Sequence, residues 1–239
     1  MNSIQTISQS QINQFNECKR KYYLSHISDC PYPQLNTETD FTRKGQDFHR
    51  LVQQYIIGMD PDTLVSAAGD DDVKRWISSF CSSNITDNFD DIHPEITLST
   101  IFDNIVFTGK MDAIAIKNNK ITIFDWKTTK FPGKKSHYSS LPQTRLYLFL
   151  AKSAAGRLFG LDELSAADIS MVYWFPEDPD KKTVIEYTED QYQKSISWLK
   201  LVAAEMSKKD IDFYPQLSDA EKCVSCGYKS FCGRSACCQ

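Results

Sequence analysis

Apolar positions alternate between two periods along the chain. From about Ser8 to Ile27, Ile12, Phe15, Lys19, Tyr22 and Tyr23 fall near a 3.6-residue spacing, which predicts a helix capped by Ser8. A second helix is expected from about Thr39 to Ile57, with Phe41, Phe48, Val52, Tyr55 and Ile56 on its apolar side and His49 among them. Asp60 to Asp72 reads as an acidic connection, Val73 to Phe80 as a short helix, and Ser82 to Pro94 as loop. The middle of the chain then turns β-branched and aromatic, over Ile96 to Phe102, Ile105 to Ile116 and Ile121 to Lys127. Asp103-Asn104 and Asn118-Asn119 separate these runs and tolerate positive φ, so a three-stranded antiparallel meander is expected. Pro142 opens a helix to about Leu150, strands follow at Ile169 to Phe175 and Thr183 to Tyr187, and a helix at Gln191 to Met206 precedes a cysteine-bearing tail from Pro215. Helices, a sheet, then more helices and strands predict an α/β or α+β fold whose helices cover the sheet.

Composition adds bounds. The 239 residues are 41% hydrophobic and 24% charged, enough to bury a sizeable core and too apolar for disorder. No apolar run approaches the ~18–20 residues of a membrane span, and the first residues show no signal-peptide pattern, so a soluble, cytoplasmic protein is expected. The net charge of −4 hides a contrast, since Lys110 to Lys152 holds nine basic residues against two acidic ones, +7 locally and −11 elsewhere. Such a block can steer a polyanion to one face, although a solvated lysine face has the same composition.

Eight cysteines without a secretory signal read as thiols or metal ligands rather than disulfides. Five lie in the last seventeen residues, and Cys223, Cys226 and Cys232 form C-x2-C-x5-C, which lets one loop wrap several thiolates around a metal or cluster. Cys223, Cys226, Cys232 and Cys237 would also suffice for a local zinc site, with Cys30 and Cys81 as ordinary thiols.

The strand from Ile121 ends in Asp125-Trp126-Lys127, whose alternation puts Asp125 and Lys127 on one face. Acid-x-lysine triplets also occur at Glu17, Asp72 and Asp180, so the triplet alone is unspecific. Asp112 on the preceding strand of the same hairpin sets this one apart. Two carboxylates brought together are costly unless a cation lies between them.

Here the chain resembles the RecB-like branch of the PD-(D/E)XK nucleases. The motifs are G-Q-D-F-H (Gly45 to His49), G-K-M-D (Gly109 to Asp112), F-D-W-K-T (Phe124 to Thr128) and Q-T-R-L-Y (Gln143 to Tyr147). The opening S-Q-I-N-Q-F-N-E-C-K-R-K-Y-Y (Ser10 to Tyr23), with Cys223, Cys226 and Cys232, resembles the iron–sulfur subgroup, which includes CRISPR-adaptation exonucleases and AddB-type repair nuclease domains. The resemblance spans nearly the whole chain. It implies one restriction-endonuclease-like domain with a mixed central sheet flanked by helices: a helical region to about residue 90, a core to about 210, and a tail joined to the first helix by a metal cluster. It makes His49, Asp112, Asp125 and the Trp126 carbonyl ligands to Mg2+ or Mn2+, and Lys127 the catalytic lysine. Gln143 and Tyr147 would line the DNA path or support that lysine, with Lys130, Lys134 and Lys135 alongside. Glu95 resembles an acidic position that precedes the sheet in this family, but its spacing does not place it at the site. Cys18, Cys223, Cys226 and Cys232 would hold a [4Fe–4S] cluster. The implied activity is a single-strand-preferring deoxyribonuclease, exonucleolytic, acting in repair, recombination or CRISPR adaptation with a helicase or integrase partner. The alternative is a catalytically silent DNA-binding or assembly subunit.

Overall fold

The computed structural model describes residues 5–28, 30, 39–129, 133–161, 163–218, 221–224 and 226–233. Lys130, Cys237 and Cys238 lie outside these described residues. The chain forms two compact units, each discontinuous in sequence: Glu38–Thr100 with Phe107–Ile196, and Met1–Thr37 with Ile101–Val106 and Ser197–Gln239.

The larger unit is built on a mixed sheet. β2 (Asp91–Phe102), β3 (Ile105–Lys117) and β4 (Lys120–Trp126) run as an antiparallel meander, β4 pairs in parallel with β5 (Ile169–Trp174), and β5 pairs antiparallel with β6 (Lys182–Glu186). Both tight turns have the expected chemistry: Asp103 and Asn104 sit at φ 52° and 61°, Asn118 and Asn119 at 49° and 59°. Positive φ at two successive residues gives the twist that a two-residue hairpin needs. The parallel step makes the sheet mixed, and its crossover is carried by α6 (Lys135–Ser140), α7 (Pro142–Leu150), a π-helical turn (Ala151–Ala155) and α8 (Gly156–Phe159).

Strand alternation sorts the side chains into two layers. Ala113, Ala115, Phe124, Trp126, Val172 and Trp174 share one core with Phe48, Leu51 and Val52 of α3 (Asp40–Ile56), Leu64 of α4 (Pro61–Ala67), and Trp76, Ile77 and Phe80 of α5 (Asp71–Ser83). Phe80 meets Trp126 and Trp174 edge to face, at centroid distances of 5.0 and 5.3 Å. Residues of opposite parity meet α7, where the Thr144 hydroxyl lies 2.7 Å from the Tyr173 hydroxyl. Asp125 therefore emerges on the α7 side, because 124 and 126 belong to the other layer.

Three boundaries differ from the sequence reading. The acidic connection contains α4, capped by Asp60 and with Pro61 in its first turn, both ordinary helix-start signals. β2 begins at Asp91 rather than Ile96 and passes through Glu95 at φ 56°, a left-handed residue inside a strand. The first helix is two: α1 (Gln9–Glu17), started by a reciprocal cap between Ser8 and Gln11, and α2 (Lys19–His26). Cys18 breaks them with φ −158° and ψ 107°, and its sulfur accepts from the Lys21 amide.

In the smaller unit, β1 (Thr6–Ser8) leads into α1, and α9 (Glu189–Met206) ends. Phe15, Tyr22 and Tyr23 gather around the ring of Tyr214. The Tyr214 hydroxyl donates to the Lys208 carbonyl at 2.7 Å, and Arg20 Nε donates to the Tyr214 carbonyl at 2.7 Å. Among the described residues, no helix is long and apolar enough to cross a membrane.

Candidate active site

Four elements of the larger unit supply the site. Continuing the β3–β4 register one step beyond Ala113–Phe124 sets Asp112 opposite Asp125. The Trp126 amide donates to Asp112 Oδ2 at 2.7 Å, so the strand that presents Asp125 also fixes the neighbouring carboxylate. His49 Nδ1, from α3, lies 3.1 Å from Asp112 Oδ1. Burial alone would lower the His49 pKa, but the carboxylates of Asp112 and, behind it, Asp125 together outweigh it and the net shift is upward.

Glu95 completes this end. Its carboxylate, Asp112 and His49 each offer a ligand atom, and the three atoms lie within 4.8 Å of one another, which no other trio of His, Cys, Asp or Glu achieves among the described residues. The left-handed backbone at Glu95 distorts β2 and re-aims this side chain, a common role for such irregularities beside functional sites. The Lys110 ammonium rests directly on the Glu95 carboxylate, so positive charge already counters the acidic group. Two carboxylates and an imidazole form a donor set suited to a divalent cation. They line a cleft of about 570 Å³ floored by α3 and bordered by Lys110 and Thr128.

Asp125 stands beside this trio and outside it. It is buried, Gln143 Nε2 donates to its Oδ1, and the Lys127 ammonium lies 2.5 Å from its Oδ2 as an ion contact. Lys127 Nζ also donates to Gln143 Oε1 at 3.1 Å and lies 5.5 Å from the Tyr173 ring centroid. Gln143 thus ties acid to lysine. Burial pushes the Asp125 carboxyl up to about 6, against the pull of Lys127 and with help from Asp112.

The other expected positions divide. Tyr147 shares α7 with Gln143 and is only 5% exposed; its hydroxyl donates to the Lys110 carbonyl at 2.6 Å and its ring fills the space over Gly109. Lys134 and Lys135 are exposed at the start of α6. Glu95 is the functional candidate that spacing did not place, because the backbone irregularity that turns it inward leaves no periodic trace.

In the smaller unit, Cys18, Cys223, Cys226 and Cys232 line one small cavity, of about 20 Å³, with Leu24, Leu217 and Tyr228. No three of these sulfurs approach within 4.8 Å of one another. Four sulfurs around one zinc at a bond length of about 2.3 Å would be about 3.8 Å apart.

A family model described as the PD-(D/E)XK nuclease superfamily matches residues 6–233. The chain belongs to the PD-(D/E)XK nuclease superfamily. This member therefore belongs to a family of hydrolases that use divalent metals, and its mixed sheet flanked by helices agrees with the family fold. A solved structure of a candidate exonuclease from Eubacterium rectale is similar in fold, with a TM-score of 0.56 at 10% identity over 84% of this chain and 80% of that one. A second solved structure, of a protein named SSO0001, aligns over 97% of this chain and 87% of that one at 17% identity, with a TM-score of 0.41. No curated protein matches.

Proposed function

We propose that this superfamily member is a divalent-metal-dependent deoxyribonuclease whose site is His49, Glu95, Asp112, Asp125 and Lys127. The observation that carries the proposal is the placing of a three-ligand trio beside a buried Asp125 paired with a half-buried Lys127 in one unit. When bound at the trio, a divalent cation supplies Lewis-acid activation of a phosphodiester and of water. His49, Glu95 and Asp112 would hold it. Asp125 and the Trp126 carbonyl are further ligands in the family resemblance, and Asp125 could serve only by loosening its grip on Gln143 or Lys127. Lys127 brings its ammonium to the charge that develops on the attacked phosphate, and Gln143 keeps it oriented. The basic run from Lys110 to Lys152, including Lys130, Lys134 and Lys135, draws in the DNA backbone.

The same reading makes the enzyme a RecB-like exonuclease that prefers single strands and serves repair, recombination or CRISPR adaptation beside a helicase or integrase. It also assigns a [4Fe–4S] cluster to Cys18, Cys223, Cys226 and Cys232. The convergence of these four thiols on one cavity supports that assignment. Asp112→Asn tests the site: it should abolish cleavage of single-stranded DNA and weaken Mn2+ binding in calorimetry, with the circular dichroism spectrum unchanged. Full cleavage by this variant would remove the site.

A further inference from the structure

α3 turns two different faces to its surroundings. Phe48, Leu51 and Val52 are buried in the core, whereas Phe41, Thr42, Gln46, His49, Arg50 and Gln53 line the cleft. Most of the cleft face is what a phosphodiester strand needs, since Thr and Gln offer hydrogen bonds and Arg50 a cation. Phe41 does not fit that description. It lies in the first turn of α3, lines the same cleft, and is 54% exposed, whereas Phe48 on the same helix is wholly buried.

An exposed aromatic ring costs solubility and offers a flat apolar face. Every nucleobase has a matching π-face, but only an unpaired base can present it, because duplex bases are stacked on their neighbours. Eight residues separate Phe41 from His49, about 12 Å along the helix axis, so both act on one strand a few nucleotides apart. We infer that Phe41 is a specificity-determining residue: it stacks an unpaired base of the strand whose phosphodiester lies at His49, Glu95 and Asp112. The inference rests on the nuclease reading and gives it a physical source of single-strand preference.

The test uses the full chain carrying Lys127→Ala, expected to bind without cleaving, with two short oligonucleotides of equal length and charge. One carries bases; the other is abasic throughout. Adding Phe41→Ala should weaken binding of the base-carrying strand about thirty-fold, the mid-range effect of losing one stacking ring, and leave the abasic strand unchanged. Phe41→Trp should restore binding and show fluorescence quenching by the base-carrying strand alone. Equal affinity of Phe41→Ala and its parent for the base-carrying strand, or equal loss for both strands, overturns the assignment while leaving the nuclease reading intact. Failure of the parent to bind either strand, with wild type cleaving neither, overturns both.

Discussion

Gly109→Ala probes whether β3 is held where Asp112 needs it. A Cβ at residue 109 would lie 2.7 Å from Tyr147 Cε1, 3.0 Å from Tyr147 Cδ1 and 3.0 Å from Leu150 Cδ1. Carbon atoms in good contact sit at about 3.5–4.0 Å, so the closest overlap is roughly 1 Å. The ring has little room to yield. Tyr147 is 5% exposed, its hydroxyl is fixed to the Lys110 carbonyl, and Leu146, Leu148 and Leu150 around it on α7 are buried. Overpacking of this kind costs about 1–3 kcal/mol, partly offset by the roughly 0.5–1 kcal/mol gained when a strand glycine becomes alanine. A net loss of about 1–2 kcal/mol is expected in urea denaturation of the metal-free protein. The double-mutant cycle sharpens this: in a Tyr147→Leu background only the approach to Leu150 Cδ1 is left, so Gly109→Ala should cost clearly less, giving a coupling of about 1 kcal/mol. Cleavage by Gly109→Ala should fall further than its folded fraction, since a shifted β3 carries Asp112 away from His49. Equal cost of Gly109→Ala in both backgrounds would refute the packing account.

Three other outcomes can be checked. Glu95→Gln should weaken Mn2+ binding in calorimetry by about ten-fold or more while sparing DNA binding; unchanged metal affinity would leave Glu95 as a mere partner of Lys110. Asp125→Asn bears on pH. Its carboxyl rises from 3.8 to about 6 on folding, so the folded state holds the extra proton between those values; stability is highest below about pH 4 and is lost as pH rises through about 6. In EDTA near pH 8 the inactive Asp125→Asn should therefore be more stable than wild type, by an amount of order a few kcal/mol that vanishes near pH 4; a less stable variant near pH 8 would contradict the burial cost. Cys226→Ala should lose iron in anaerobic preparations and destabilise the protein, whereas stoichiometric zinc without iron in wild type would defeat the cluster assignment.

Much of the fold was legible because local chemistry and tertiary context agree. The Asp103-Asn104 and Asn118-Asn119 pairs both favour hairpin turns, and the second sets the β3–β4 register that brings Asp112 beside Asp125. Alternation along β4 likewise gave the shared side of Asp125 and Lys127. What stayed hidden depends on packing. Tyr147 sits four residues after Gln143, yet α7 is buried on most of its circumference, so helical spacing could not tell which residue faces the site. Glu95 enters through a left-handed backbone that no residue type there announces. Cys18 ends one helix and begins the next through its own sulfur, a cap that residue preferences for Ser, Thr, Asp and Asn do not anticipate.

The most direct measurement is degradation of end-labelled single-stranded DNA by anaerobically prepared wild type and Lys127→Ala, each with Mn2+, Mg2+ or EDTA. Cleavage by wild type that requires the metal and disappears in Lys127→Ala is the predicted result. DNA binding without cleavage by wild type under every condition would contradict the nuclease assignment and make the protein a binding subunit.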